Sequence, residues 1–214
     1  MLRIKAICAL ALGVLVSGAV TAAAASAAEA GWMVEGRLLA AGERESVAEE
    51  TMKVSATYKL VSGTTIIECT TLKVKGGYIE GINKNGATSL VFTGCASGSA
   101  NCTLSSTTIA TVPVLAEATL DPPNPLASVI RFKPETGTTF TTFRFEGEKC
   151  ALVGAKPISG TQAVLAPTGA DERTLQTVTA IELTPGELKE ASANASLTGS
   201  SGLTLESGKN WSFL

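Results

Sequence analysis

Hydrophobic and polar residues alternate along much of this 214-residue chain. The clearest case lies between positions 52 and 60, where lysine, serine and threonine separate the apolar residues. The apolar positions of this stretch are Met52, Val54, Ala56, Tyr58 and Leu60. Successive side chains of a strand point to opposite faces, so a repeat of two gives one apolar and one polar face. The pattern predicts a strand that packs one face against a core.

The same repeat of two recurs along the rest of the chain, in stretches rich in threonine, whose branched Cβ favours strands. The further alternating positions are Leu90 and Phe92, then Val112, Val114, Ala116, Ala118 and Leu120, then Ile130 and Phe132. Clusters of turn-forming residues separate these stretches, among them KGG, NKNGA at 83–87, SGSAN, DPPNP, PETG, TGSSG at 198–202 and ESGKN. Only residues 42–50 are expected to form a short helix.

Many short strands with turns between them favour antiparallel pairing, because parallel strands need long crossover connections. The predicted fold class is therefore all-β, either an antiparallel β-sandwich or a partly closed barrel.

The N-terminus is typical of a secretory signal peptide. Residues 1–5 include the basic Arg3 and Lys5, residues 6–20 are mainly apolar, and an alanine-rich stretch follows. Signal peptidase requires small side chains beside the scissile bond, so we expect cleavage after Ala27 or Ala28 and a signal peptide covering 1–28. The apolar run is short for a bilayer span, and no basic stop-transfer segment follows it.

The remaining residues, 29–214, suffice for a single exported domain with a sizeable core. The whole chain has 17 Lys and Arg against 19 Asp and Glu, a net charge of −2. Arg3 and Lys5 leave with the signal, so the mature domain carries a net charge of about −4. We therefore expect no nucleic-acid partner. No later segment is apolar over the length of a membrane span, so we expect no membrane span after cleavage.

Four cysteines remain after Cys8 leaves with the signal: Cys69, Cys95, Cys102 and Cys150. An even number in an exported domain predicts two disulfides, of which three pairings are open. We favour Cys69 with Cys95 and Cys102 with Cys150, because Cys95 ends a strand-like run that follows the run holding Cys69. In the loop-entropy model such bridges contribute about 3.5 and 4 kcal/mol. No histidine and no close cysteine pair is present to seed a zinc site, and we expect no cofactor.

The sequence offers few candidate catalytic residues. A chain without histidine has no Ser-His-Asp or Cys-His arrangement. A glycosidase needs two carboxylates. The glutamates considered for that role are Glu68, Glu80, Glu146 and Glu148. Each has a simpler interpretation as an outward-facing strand residue or a turn charge, so no catalytic residue is assigned.

The two tryptophans, Trp32 and Trp211, lie near opposite ends of the mature chain. Each is a candidate for stacking on a ligand such as a carbohydrate, although packing in the core is the more usual role of a tryptophan on a strand. If the terminal strands pair, both rings close one end of the core.

From Trp32 onward the chain resembles a group of uncharacterised exported proteins of soil actinobacteria. The segments that carry this resemblance are GWMVEGRLL, TTIIECTTLKV, SLVFTGC, NCTL, GEKCALVGAKPISG and ASLTGSSGLTLESGKNWSF. The resemblance implies bacterial secretion and a β-rich domain. It implies no activity and no functional residue.

These observations favour a secreted, noncatalytic binding or structural domain of the cell envelope or extracellular space. Its expected partner is a cell-wall glycan or another exported protein, which it would bind through an exposed tryptophan or an apolar patch. Two alternatives remain open. One is a secreted glutamate-dependent hydrolase. The other is an exported inhibitor or partner protein that presents an edge strand or the loop 96–101 for pairing.

Overall fold

The structure, a computed structural model, describes residues 31–55, 57–81, 84–121, 124–165, 172–181 and 187–213. The predicted signal peptide, 1–28, lies outside these residues. Within them the chain is all-β, as predicted, and contains no helix. None of the described segments is therefore a long apolar helix of the kind that crosses a membrane.

The described residues form 22 strands, most of them short. The first eleven are β1 (Trp32–Val34), β2 (Arg37–Leu38), β3 (Arg44–Ser46), β4 (Met52–Lys53), β5 (Tyr58–Ser62), β6 (Thr65–Cys69), β7 (Thr71–Lys75), β8 (Tyr78–Glu80), β9 (Lys84–Ala87), β10 (Ser89–Thr93) and β11 (Ala96–Ser97). The others are β12 (Thr103–Leu104), β13 (Thr108–Ala110), β14 (Val114–Asp121), β15 (Asn124–Pro134), β16 (Thr139–Glu146), β17 (Gly154–Gly160), β18 (Gln162–Leu165), β19 (Leu175–Ile181), β20 (Leu188–Glu190), β21 (Ala193–Thr204) and β22 (Trp211–Phe213).

Every pairing between these strands is antiparallel, as the turn spacing predicts. Two sheets have three strands each, in the orders β2-β1-β22 and β13-β10-β7, and the remaining strands form one large sheet. The sheets are not closed into a barrel. Buried side chains from all of them meet in one hydrophobic core.

Strand β21 holds the large sheet together. Along one edge it pairs with β19 and β20, and along the other with β4 and β5. Its register with β4 and β5 is discontinuous, because Lys59 lies opposite Thr198 whereas Lys53 lies opposite Ser201.

This discontinuity corrects the prediction for residues 52–60. Tyr58 and Leu60 are buried, as the alternation predicts, but Met52 and Val54 are 57% and 53% exposed. A change of register turns side chains to the other face of a strand, so the apolar pattern of this stretch does not continue into one buried face. Ala56 lies outside the described residues.

Most positions of the other alternating stretches agree with the prediction, but Val112 is only half-buried while its polar neighbour Thr111 is buried. Val114, Ala116, Phe92 and Ile130 are buried, and Leu90 and Phe132 pack against them while partly exposed. The short helix expected at 42–50 is wrong. Arg44–Ser46 is strand β3, which pairs with β8 because the backbone groups of this segment find partners across the sheet rather than along the chain.

Two predicted turns are also strands. Residues 84–87 of NKNGA form β9, which lies between β8 and β14, and residues 198–202 of TGSSG lie inside β21. Asparagine, glycine and serine favour turns locally. Here pairing with strands on both sides outweighs that preference.

Both predicted disulfides are present, and the favoured pairing is confirmed: Cys69 bonds Cys95, and Cys102 bonds Cys150. The first bridge links the end of β6 to the segment that follows β10. The second links the segment before β12 to the turn after β16. All four cysteines are buried, so each bridge joins strand ends that already pack in the core.

The two glycines at the ends of β17 differ in how closely the neighbouring backbone approaches them. Gly154 and Gly160 have φ of +115° and +104°, a region that strains other residues by about 1–3 kcal/mol. A Cβ at Gly160 would lie 2.0 Å from the carbonyl oxygen of Glu187, whereas one at Gly154 meets nothing within 4 Å. We expect Gly160→Ala to lower the free energy of unfolding by about 1–3 kcal/mol more than Gly154→Ala, measured by urea denaturation. Equal losses would contradict the close approach of β17 and β20.

Candidate functional site: an apolar cavity between the sheets

The two ends of the described chain meet in the core. Strands β1 and β22 pair, with Trp32 opposite Phe213 and Val34 opposite Trp211. The rings of Trp32 and Trp211 lie 5.8 Å apart at 48°, and Trp32 meets Phe213 edge-on at 4.9 Å. The terminal strands therefore pair, and both tryptophan rings are buried in the core.

Neither tryptophan forms an exposed stacking platform. Each side chain is only 1% exposed, and each indole N–H donates to a backbone carbonyl: Trp32 to Lys84 at 3.1 Å and Trp211 to Thr174 at 3.3 Å. A buried ring whose N–H group is already hydrogen bonded cannot stack on a surface glycan. The binding role considered for Trp32 and Trp211 from the sequence therefore has no support at the surface.

Both tryptophans instead line a cavity of about 100 Å³ inside the fold, named here the interior cavity. Its wall is built by inward side chains of β1, β5, β7 to β10, β15, β18, β19, β21 and β22. Most of these side chains are aliphatic or aromatic, such as Val74, Ile79 and Phe132. Native cores hold few voids larger than a water molecule.

A pair of aromatic rings separates this cavity from a smaller one. Tyr58 and Phe92 pack edge to face with centroids 5.6 Å apart, and both line a second cavity of about 30 Å³ as well as the interior cavity. The hydroxyl of Tyr58 hydrogen bonds to the side chain of Ser201 and donates to the carbonyl of Ser200 at 3.2 Å. These bonds to β21 hold the tyrosine ring in place as a wall.

Asn85 is a polar exception in the apolar wall. It is 5% exposed, and its neighbours across β9 are Ile79 and Ala116, both buried. Its Oδ1 atom makes no hydrogen bond to any described residue. An unpaired buried acceptor costs about 1–3 kcal/mol. Of the buried side-chain oxygens without a partner in the described chain, it is the one at the interior cavity.

Four of the side-chain donors in the cavity wall are already used. Besides the two indoles and Tyr58, the cavity wall contains the amide of Gln162, whose Nε2 donates to the carbonyls of Ala163 at 2.6 Å and Ile181 at 3.1 Å. A donor for Asn85 Oδ1 therefore has to come from outside this set.

The glutamates considered for hydrolysis do not come together at the cavity. Glu68 pairs with Lys59 at 3.2 Å on β5 and β6, and Glu80 pairs with Arg44 at 2.5 Å on β8 and β3. Glu146 and Glu148 are exposed at the end of β16 and in the turn that follows. None of the four lines the interior cavity. No group of three or more potential metal ligands is found in the part of the chain that the structure describes.

The shifted carboxyl groups also lie away from the cavity. A hydrogen bond from the Arg37 guanidinium, helped by the Ala40 N–H, lowers the pKa of Glu43 to about 2. A hydrogen bond from Lys209 lowers the pKa of Glu45. Lowered pKa values keep both groups ionised at neutral pH, so neither has the raised pKa of a general acid.

The loop 96–101 is tied to the body of the fold. Its first two residues form β11, which pairs with β6, and the hydroxyl of Ser99 accepts from the Ile66 N–H and donates to the Thr64 carbonyl, each at 2.8 Å. Ser99 is buried. The loop is therefore anchored to the fold, and among the described strands β11 pairs with β6 alone, so it lies at an edge of its sheet.

The surface contains two weaker candidates. Met52 and Leu175 form a small exposed apolar patch over Gly202, where a Cβ would touch both. A depression of about 180 Å³ beside β13 and β16 is lined by four hydroxyl residues, by Arg144 and by the apolar residues Ile109, Phe143 and Ala155. All four hydroxyl residues, Ser105, Ser106, Thr108 and Thr142, are exposed, and the hydroxyl of Ser106 already donates to the Thr108 carbonyl.

Sequence reasoning did not find the cavity. Asn85 lies in NKNGA, and Gly199 and Ser201 lie in TGSSG, the two segments predicted as turns, and all three line the wall. A functional site is where local preference and final structure are expected to disagree. The disagreement at both segments was therefore a signal of a functional site, visible only once the strands were paired.

Comparisons of the chain with protein-family models, curated proteins and solved structures find no match to any of them.

The burial of both indoles can be tested by fluorescence quenching. We expect iodide to quench the tryptophan emission of the native domain much less than that of the urea-unfolded domain, because both rings are 1% exposed. Equal quenching of the native and unfolded forms would show that the tryptophans are exposed and could stack on a ligand at the surface. The control protein has one exposed tryptophan, introduced by Val153→Trp, and lacks the native indoles (Trp32→Phe, Trp211→Phe). Iodide should quench its tryptophan emission in the native state.

Proposed function

We propose that this chain is an exported, noncatalytic binding domain that works in the cell envelope or extracellular space and holds a small apolar molecule in the interior cavity. The observation that carries the proposal is the cavity itself. Its volume of about 100 Å³ approaches that of an engineered apolar cavity of about 150 Å³ that binds benzene.

The cavity also has the composition of a binding site. Ligand pockets are lined mainly by apolar and aromatic side chains with a few placed polar groups, and the interior cavity combines such a wall with Asn85 and Gln162. An empty cavity lowers stability. A bound apolar molecule restores the missing contacts, so binding and stability are linked.

Two features support action outside the cytoplasm. The chain begins with the basic, apolar and alanine-rich segments of a signal peptide, and the domain has two disulfides, which persist in oxidising compartments. The proposed role is noncatalytic because the four candidate glutamates lie apart from the cavity.

Binding can be tested with toluene, a probe of suitable size. We expect the domain to bind toluene with a change in tryptophan fluorescence, because Trp32 and Trp211 line the cavity, and with a rise in Tm that grows with toluene concentration. Ala180→Leu fills part of the cavity and should weaken binding at least about tenfold, measured by calorimetric titration.

The matched control is Ala110→Leu, which adds the same side chain at an exposed position of strand β13 and should bind like the wild type. Absence of toluene binding in the wild-type domain, or equal loss in both variants, would overturn the proposal.

Export can be tested separately by fractionating cells and sequencing the N-terminus of the exported protein. We expect the mature chain to start at Ala28 or Glu29, with all four cysteines resistant to thiol labelling until reduced. A chain that starts with Met before Glu29 should stay inside the cell with labelled thiols. Retention of the full-length chain in the cytoplasm would contradict the proposed location.

A further inference from the structure

The unpaired acceptor in the cavity wall specifies the kind of molecule that the cavity holds. We propose that the ligand is a small apolar molecule with one hydroxyl or N–H group, and that this group donates a hydrogen bond to Asn85 Oδ1. This inference rests on the proposed function, since it names the ligand class of the same cavity.

The position of Asn85 makes packing alone a poor explanation for the residue. On β9 its side chain points inward between Ile79 and Ala116, in a place where the neighbouring strands supply apolar residues. Buried polar side chains are almost always hydrogen bonded, and the exceptions call for a specific cause. A leucine would fill the site without leaving a polar atom unpaired.

Water is a poor partner for this acceptor. A buried water ordinarily makes about three hydrogen bonds. The indoles of Trp32 and Trp211, the hydroxyl of Tyr58 and the amide nitrogen of Gln162 already donate to oxygens of the protein. A water at Asn85 Oδ1 would receive nothing from these groups, and apolar surface would surround it.

An apolar molecule with one donor fits both parts of the wall. Its hydrocarbon body contacts the aliphatic and aromatic side chains, and its single O–H or N–H meets the unpaired oxygen of Asn85. A site built to bond a ligand hydroxyl discriminates strongly against the analogue without it, because the buried group of the protein is then left unpaired. Asn85 is thus assigned as the residue that sets specificity.

Phenol and toluene test this assignment because they have nearly the same shape and differ by a hydroxyl in place of a methyl group. Calorimetric titration gives the ratio of phenol affinity to toluene affinity for the wild type and for Asn85→Leu. We expect that ratio to fall about tenfold or more in Asn85→Leu, because the added volume acts on both probes alike and only the phenol loses a hydrogen bond.

Two further variants keep the test interpretable. Asn85→Ala also removes the acceptor and should show the same fall in the ratio, which covers the case in which Asn85→Leu does not fold. Asn194→Leu makes the same change at an exposed position of β21 and should leave the ratio unchanged.

The outcomes separate the two proposals. If the wild type binds toluene and the ratio is the same in the Asn85 variants, the assignment of Asn85 is overturned while the cavity remains a binding site. If the wild type binds neither probe, the binding function fails and the ligand class fails with it.

Discussion

The pairing of β21 with four other strands is the interaction on which the rest of the structure depends. Its first half pairs with β20 and β5 and its second half with β19 and β4, so a single strand joins segments from both halves of the chain. Gly199, at the centre of the strand, has φ of +144°, and a Cβ there would lie 2.6 Å from the Tyr58 ring. Only glycine allows this close approach, which brings Tyr58 against β21.

The interior cavity follows from this arrangement. Tyr58 is held against β21 by its hydrogen bonds to Ser200 and Ser201, and with Phe92 it divides the space between the sheets. On the far side, the pairing of β1 with β22 brings in the two indoles. The cavity wall is therefore made of rings fixed by hydrogen bonds as well as by packing, which explains how a void can persist in a core that otherwise favours close packing.

The disulfides and the terminal strands stabilise different parts of the fold. The bridge from Cys69 to Cys95 holds the end of β6 beside the segment after β10, close to the Tyr58 and Phe92 pair, since Tyr58 lies opposite Cys69. The bridge from Cys102 to Cys150 holds the strand ends at β12 and β16. Both act outside the terminal pair of β1 and β22, which relies on aromatic packing instead.

The sequence by itself determined the properties that depend on counts and on local repeats. A repeat of two predicts strands whatever their partners are. An even number of cysteines in a chain expected to be exported predicts bridges, and tryptophans near both ends of the domain predict a closed core if the ends pair. Tertiary structure alone decided that NKNGA and TGSSG are strands, that Met52 and Val54 face outward, and that Asn85 points into a cavity. Turn and helix preferences are worth only about 1 kcal/mol per residue, whereas pairing on both edges satisfies the whole backbone of a segment. Which strands become neighbours depends on residues far apart in the chain, and no local pattern contains that information.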